Sequence, residues 1–178
     1  ETLTALKKLE AMFGPYPHDS FTARLQSQFD LEIGPSSHEH NGASFGRIGA
    51  QQHETGHSFV GRGAMPRDGD ANWLDEGAMT WLDFNQPRSA TLEFSGKFEQ
   101  LSGHSPYKRH VTGAAYGQGA IVMADLDLIF AEQGGLRPLL GEFTQRCMHK
   151  TYTTSMFENF LLNKTPDEEV RNQIREVF

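Results

Sequence analysis

The hydrophobic pattern in the first third of the chain predicts one helix and then a small sheet. Between residues 2 and 13 apolar positions recur at helical spacing and form a single stripe made of Leu3, Leu6, Leu9 and Phe13. Apolar and polar positions alternate between residues 21 and 33, which is typical of a strand, and a second short strand is expected near 43–47. We expect a helix over 48–60 and then a loop rich in Gly and Pro.

The remaining pattern is almost entirely helical. Apolar periodicity predicts helices over 72–85, 89–101 and 114–133, the last ending at Gly134-Gly135, and three shorter helices follow. The segment from Thr165 to Glu168 resembles a capping box with Pro at the first helical position, so it should begin the final helix. No repeat, low-complexity tract or linker divides the chain. We therefore expect one α+β domain over residues 1–178, mostly α, with a small N-terminal sheet before a helical bundle.

Composition narrows the classes of function. The formal net charge of −7 argues against a nucleic-acid surface, which usually carries a basic patch. No stretch approaches the roughly 18 consecutive apolar residues of a membrane span. With a single cysteine, Cys147, the chain can build neither an internal disulfide nor a cysteine-rich metal site, so a bound metal must use His and carboxylate ligands.

The segment His53-Glu54-Thr55-Gly56-His57 matches the pattern H-E-x-x-H. Residues four apart on a helix lie one turn above each other, so both imidazoles project from one face and can share an ion. Glu54 lies between them and is the candidate general base, which would take a proton from the attacking water. The alternative is a helix with two unrelated surface histidines.

A catalytic zinc needs three protein ligands and leaves one position open. Glu76 supplies a candidate third ligand after a gap of 18 residues, in the second predicted helix. Two histidines and one carboxylate favour zinc over softer or harder metals. Because each ligating His usually donates its other ring N–H to an oxygen, Asp83 and Thr80 are candidates for that supporting role. We expect one Zn²⁺ per chain, held by His53, His57 and Glu76.

The spacing of these residues resembles that of the gluzincin metallopeptidases, and further segments resemble the catalytic domain of the glycyl aminopeptidase family, relatives of aminopeptidase N. The similar segments come in order between residues 13 and 135 and are 13–17, 37–44, 73–81 and 116–120, with Phe59 and Pro66 at two further motif positions. The resemblance implies a thermolysin-like zinc peptidase catalytic domain. It also implies flanking domains outside these residues, so the chain is expected to be a fragment of a longer one.

The resemblance also assigns two further roles. Tyr116 would donate its phenol to the oxyanion that develops during hydrolysis, with Tyr107 as the competing candidate. Glu39 would hold the free α-amine of the substrate, or else only order its loop. The chain departs from the family pattern where Ser37-His38 replaces Gly-Leu, Phe59 replaces Trp and Gln118 replaces Lys.

The leading interpretation is a zinc aminopeptidase that acts on peptides. One rival is an endopeptidase with the same zinc chemistry and no anchor for the amine, and the other is a non-catalytic peptide-binding module on the same scaffold. The intact set of ligands and base argues against the module. We expect a peptide substrate, no nucleic-acid partner and no membrane span; a cytoplasmic, periplasmic or secreted location is compatible with the chain.

Overall fold

The computed structural model describes residues 2–25, 38–40, 42–46, 48–67, 71–84, 101 and 111–178, with backbone alone at 38–40, 45, 48 and 84. The elements run in the order α1 (Thr2–Phe13), β1 (Thr22–Leu25), β2 (His38–His40), β3 (Ala43–Gly46), α2 (Gln51–Gly56), β4 (Met65–Pro66), α3 (Asn72–Phe84), α4 (Gly113–Ile129), α5 (Leu136–Cys147), β5 (Thr151–Tyr152), α6 (Thr154–Leu162) and α7 (Glu168–Val177). The described chain is thus mostly helical with two small sheets, consistent with the expected α+β class.

The larger sheet has the order β1-β3-β2. β3 pairs parallel with β1 and antiparallel with β2, in a register that places Glu39 opposite Ser44. The side chain of Ser44 is buried and donates to Gln51 at the start of α2 over 2.9 Å. This bond ties the sheet to the helix that carries the H-E-x-x-H motif.

The core lies between the helices. Its largest fully buried side chains come from distant parts of the chain and include Phe13, Phe59, Trp73, Phe130, Tyr152 and Phe157. The helices α3 and α4 pack tightly together, and a Cβ added to Gly77 would lie only 2.8 Å from backbone atoms of Gly119. Because neither helix carries a side chain at this point, their backbones approach closely, and the position of α3 is fixed against α4.

Two contacts attach the outer elements to this core. The ring of Phe59, which follows the H-E-x-x-H segment, packs against Phe13 of α1 with centroids 5.5 Å apart. The indole N–H of Trp73 donates to the hydroxyl of Thr154 at 3.0 Å, which connects the start of α3 to α6. The helices predicted over 2–13 and 72–85 are confirmed almost to the residue, and three shorter helices follow α4 as expected.

The structure corrects two local predictions. The helix expected over 48–60 is shorter: a 3-10 turn, Ile48–Ala50, leads into α2, which ends at Gly56. Residues 57–63 form turns, and Gly61 has a φ of +113°. The final helix is capped by Asp167 and not by Thr165, because the Asp167 carboxylate accepts the N–H of Glu169 at 2.9 Å. The first part of the strand predicted over 21–33 is seen as Thr22–Leu25. Residues 26–33, and most of the helix predicted over 89–101, lie outside the described residues.

In the part of the chain that the structure describes, no helix combines the length and the apolar character needed to cross a bilayer.

Candidate zinc centre

The helix α2 and the residue after it supply three residues of the site. His57 caps the C-terminal end of α2 with helical φ and ψ of −61° and −20°, so it stays one turn from His53 although the regular helix ends at Gly56. The rings of His53 and His57 lie 4.6 Å apart at 75°. Gly56 allows this segment to lie against α3, since a Cβ there would overlap the side chain of Met79. Glycine at this position therefore sets the distance between the two helices of the site.

The helix α3 supplies the acidic residues. Asp75 and Glu76 lie in its first two turns, and Asp83 lies about two turns after Glu76 on the same side. The Oε2 atom of Glu76 is 3.2 Å from Nε2 of His53 and 3.3 Å from Nε2 of His57. One ligand atom from each of the three residues thus falls within 4.8 Å of the other two. The structure brings together the three residues that the spacing predicted as ligands.

The other nitrogen of each imidazole is held by a carboxylate. Nδ1 of His53 donates to Oδ2 of Asp83 at 2.9 Å, while Gln52 donates to the second oxygen of Asp83. Nδ1 of His57 donates to Oδ1 of Asp75 in a short hydrogen bond. These bonds fix the tautomer of both rings, so each neutral imidazole presents an acceptor Nε2 to the shared point. Asp83 was one of two candidates for this role, and the other, Thr80, is partner to neither ring.

Asp75 was not foreseen from the sequence. It is adjacent in sequence to Glu76, and neighbouring helical residues project about 100° apart, so the pattern gives no reason to place both at one site. The tight turn at Gly61 explains the geometry, because a Cβ at Gly61 would overlap the carboxylate of Asp75. The adjacent acidic pair Asp75-Glu76 could have indicated this role, since two consecutive carboxylates on a helix can both reach a site that lies between the directions in which their side chains project.

The charges at the centre are strongly coupled. Burial lowers the pKa of His53, but its hydrogen bonds with Asp83 and Glu76 outweigh that effect and raise the pKa to about 9. For His57 burial is likewise outweighed, by the charges of Asp75 and Glu76, and its pKa lies well above the ordinary value. Burial raises the pKa of Glu76, yet His57 and His53 hold it well below its usual range. Without a metal the centre therefore keeps protons on the imidazoles that balance the carboxylates.

These residues fit a zinc ion. In the neutral tautomers that Asp75 and Asp83 support, two Nε2 atoms and a carboxylate oxygen direct lone pairs at one point, where either protons or a shared metal ion can satisfy them. Two imidazoles and one carboxylate match the ligand set of catalytic zinc, which leaves one position for water. The alternative of two unrelated surface histidines does not describe this geometry, because His57 is 2% exposed and both rings face Glu76.

Tyr116 lies beside the centre on α4. Its hydroxyl donates to Oε1 of Glu76 at 2.9 Å, and its ring is nearly parallel to that of His53, with centroids 6.3 Å apart. Burial raises the pKa of the Tyr116 phenol well above its ordinary value, and the charges of Glu76, Asp75 and Glu54 add to that rise. Tyr116 therefore stays protonated and remains a hydrogen-bond donor at neutral pH. The competing Tyr107 lies outside the described residues.

Glu54 and Glu39 are the remaining predicted site residues. Glu54 is buried on α2, 6% exposed, between the two histidines. Its negative charge adds to the rise in the pKa of Tyr116. Glu39 lies on β2, at the edge of the described sheet and near α2, and its side chain lies outside what the structure describes.

Solved structures with similar folds include an M1 zinc metallopeptidase from Deinococcus radiodurans and a mutant of such an enzyme from the same organism bound to a Tyr-Ser-Ala substrate. The mutant gives a TM-score of 0.70 at 18% identity and is matched over 99% of this chain and 43% of its own. The unmutated enzyme gives 0.66 at 18%, over 99% and 42%. This chain has the fold of that part of the M1 zinc metallopeptidases.

A third similar structure is a two-domain M1 zinc metallopeptidase mutant bound to L-arginine, with a TM-score of 0.69 at 18% identity, covering 99% of this chain and 43% of that one. The chain thus spans less than half the length of the metallopeptidases whose fold it shares. No protein-family model matches the sequence, and no curated protein matches it. The likeness to M1 metallopeptidases shows a shared fold, and the finer resemblance to glycyl aminopeptidases stays a prediction.

Proposed function

We propose that this chain forms the catalytic centre of a zinc-dependent peptidase, in which His53, His57 and Glu76 hold the metal. The convergence of Nε2 of His53, Nε2 of His57 and Oε2 of Glu76 on one point is the observation that carries the proposal. The support of both Nδ1 atoms by Asp75 and Asp83 adds to it, since metal-ligating histidines are usually oriented in this way. The shared fold of M1 zinc metallopeptidases points to the same class of reaction.

Zinc bound at this centre would lower the pKa of a water molecule towards 7 and polarise the scissile carbonyl. Glu54 acts as the general base: it takes a proton from the attacking water and returns it to the leaving amine. Its place between His53 and His57 in the sequence, on the buried part of α2, supports this role. Its burial shields the carboxylate from bulk water, which strengthens its interaction with nearby charge.

Tyr116 is the proposed donor to the oxyanion. Its raised pKa keeps the phenol protonated, and at 39% exposure the side chain can be reached by a substrate. In the metal-free chain the hydroxyl donates to Oε1 of Glu76. A substrate oxygen that develops negative charge beside Glu76 would compete for this hydrogen bond, so the donor is already close to where it is needed.

We infer that the activity is that of an aminopeptidase. Metallopeptidases of the same fold are described in complex with Tyr-Ser-Ala, L-arginine and L-tryptophan, a short peptide and single amino acids, as expected for substrates and products of stepwise removal of N-terminal residues. Glu39 would hold the free α-amine. The register of β2 supports this, because Glu39 is the partner of Ser44, and Ser44 is bonded to the first residue of α2.

Metal analysis combined with peptide hydrolysis tests the proposal. Wild-type chain should bind about one zinc and cleave short peptides. His57→Ala should lose both properties, whereas Glu54→Gln should keep the zinc and lose activity by about 10²- to 10⁴-fold, the contribution typical of a general base. The exposed Glu132 offers a matched control, because Glu132→Gln makes the same chemical change away from the centre. Full zinc occupancy in His57→Ala, or normal turnover in Glu54→Gln, would overturn the assignment.

A further inference from the structure

A second concave surface lies between α5 and α6, away from the candidate zinc centre. This groove encloses about 510 Å³ and is lined by side chains of α5, of the turn around β5 and of α6. It shares no lining residue with the cluster of His53, His57 and Glu76. Its volume is within the range of ligand sites, which is roughly 300–1,000 Å³.

The groove has a charge opposite to that of the whole chain. Its basic lining residues are Arg146, Lys150 and Lys164, and no carboxylate is among the described residues that line it. The chain as a whole carries a net charge of −7. Glu142 on the rim binds Arg146 and Lys164 at 2.5 Å each, so part of the positive charge is balanced. Among the described residues Lys150 forms no ion pair, and it is an exposed residue that lines the groove.

The floor between these cations is apolar. Phe160 has the guanidinium of Arg146 at 5.2 Å on its ring and the ammonium of Lys164 at 5.0 Å. Phe143 packs beside it with centroids 5.4 Å apart, and Met156 is 43% exposed at the edge. Cation–π contacts hold both basic side chains along the ring, so their charged ends stay near the apolar surface. An occupant must therefore combine an apolar group with negative charge.

We propose that this groove binds a short acidic peptide segment that carries one apolar side chain. The apolar side chain would lie on the exposed Met156, beside the largely buried ring of Phe160, while flanking carboxylates would pair with Lys150, Lys164 and Arg146. The exposed amides of Asn159 and Asn163 line the same groove and can bond the peptide backbone. Nucleic acid is the less favoured polyanion, since a few cations on an acidic chain are well short of the roughly 6–10 phosphate contacts of typical DNA binders.

Fluorescence polarisation with defined peptides tests the proposal. The probe is a labelled pentapeptide with acidic residues around one Phe, acetylated at the N-terminus so that an aminopeptidase does not consume it. Saturable binding that weakens with salt is expected, and Lys150→Glu should weaken it about tenfold or more because a charge-assisted contact is lost. Met156→Ser should weaken it by roughly three- to tenfold. Lys8→Glu, on the exposed side of α1, is the matched control and should leave binding unchanged.

A chemical footprint locates the bound peptide independently. Cys147 is the single cysteine of the chain and lines the groove, although burial leaves it 5% exposed and raises the pKa of its thiol. Modification by a small reagent such as methyl methanethiosulfonate should slow in proportion to the occupancy by the peptide. An unchanged rate at saturation would place the peptide elsewhere and overturn the proposal.

Further binding and sedimentation results would also overturn the proposal or assign the groove to another occupant. Equal binding of a peptide with Lys in place of its acidic residues, or the same affinity in Lys150→Glu and Lys8→Glu, would overturn the proposal. Tighter binding of a single-stranded oligonucleotide would assign the groove to nucleic acid instead. If sedimentation shows a dimer of the chain that Lys150→Glu dissociates, the occupant is a second copy and not a peptide partner. None of these results depends on zinc binding, so they leave the proposed peptidase activity untouched.

Discussion

Gly77 and Gly119 face each other where α3 crosses α4, and a Cβ on Gly119 would lie 2.9 Å from the Cα of Gly77. Gly77 directly follows Glu76, the proposed metal ligand, and Gly119 lies one turn after Tyr116. The close approach of the two backbones therefore determines how far Tyr116 stands from Glu76. The packing of α3 on α4 therefore also sets the geometry of the candidate site.

We expect Gly119→Ala to push the two helices apart, since the obstructing atoms are backbone and cannot rotate away. Overpacking of this kind costs about 1–3 kcal/mol, and zinc affinity should fall with it. Gly117→Ala on the same helix is the matched control, because nothing lies within 4 Å of its added Cβ. That change should stabilise the chain by about 0.5–1 kcal/mol through better helix propensity. Urea unfolding of both variants measures the difference, and equal stabilities would contradict the packing argument.

The carboxylates behind the histidines give a second prediction. Asp83→Ala removes the acceptor for Nδ1 of His53, and Asp75→Ala removes that for Nδ1 of His57. Loss of such supporting bonds typically costs 10- to 100-fold in metal affinity, so each variant should release zinc to a chelator at correspondingly lower concentration. Competition with a fluorescent zinc indicator measures this, with Glu132→Ala as control. Unchanged affinity in both variants would show that the rings are oriented by packing alone.

Proton release should accompany zinc binding. The pKa of His53 in the metal-free chain is about 9 and that of His57 is also raised, so both imidazoles are protonated at pH 7. Zinc binds only the neutral ring, which means that binding expels these protons and weakens as pH falls. Calorimetry at pH 7 in two buffers of different ionisation enthalpy should give a release of about two protons. A release of zero would show that the metal-free site is already neutral.

The same shifts predict how the stability of the metal-free fold depends on pH. The folded pKa of His53 lies above its ordinary value of 6.5, so its contribution is fully present below that pH and is lost as pH rises towards about 9. Glu76 has a lowered pKa, so its contribution is present above about 4.5 and is lost in acid. Thermal unfolding of the chelated chain should therefore occur at lower temperature at pH 9 than at pH 6.5, and added zinc should remove that trend.

The sequence predicts those parts of the centre that depend on the spacing of residues within a single element. The interval between His53 and His57 and the apolar period of α3 are local patterns, and the structure places both as expected. The pairing of β4 with β5 joins Met65 to Thr151, which are far apart in the chain and carry no shared pattern. The role of Asp75 was missed for a related reason, because it depends on the turn at Gly61 and on where α2 lies against α3. Such contacts arise only when the elements have packed.

Tyr116→Phe tests the proposed oxyanion donor. The change removes one hydroxyl and keeps the ring that stacks on His53. Loss of one such donor typically lowers kcat by about 10²- to 10³-fold with little change in KM, because the bond is made mainly in the transition state. Zinc content should remain near one per chain. If Tyr107→Phe shows this kinetic pattern and Tyr116→Phe does not, the assignment moves to Tyr107.

Selectivity for a free N-terminus is the prediction that separates an aminopeptidase from an endopeptidase. If Glu39 holds the α-ammonium of the substrate, acetylation of the peptide removes the charge and leaves the carboxylate facing a neutral amide. Charge-assisted hydrogen bonds contribute roughly 1.5–3 kcal/mol, so kcat/KM should fall by about 10- to 150-fold on acetylation. Glu39→Ala should cost a free peptide a similar factor and a blocked peptide much less.

Comparing both peptides with both enzymes isolates the coupling between Glu39 and the amine from general damage to the sheet edge. Such damage is a real alternative, since Glu39 lies in β2 and pairs with β3 opposite Ser44, which is bonded to α2. A distorted strand would slow cleavage of free and blocked peptides equally, whereas a lost amine contact would slow only the free peptide. Glu39→Gln sharpens the comparison, because it keeps the size and an acceptor oxygen and removes only the charge. Equal cleavage of free and blocked peptides by the wild-type chain would reject the aminopeptidase and leave an endopeptidase with the same zinc centre.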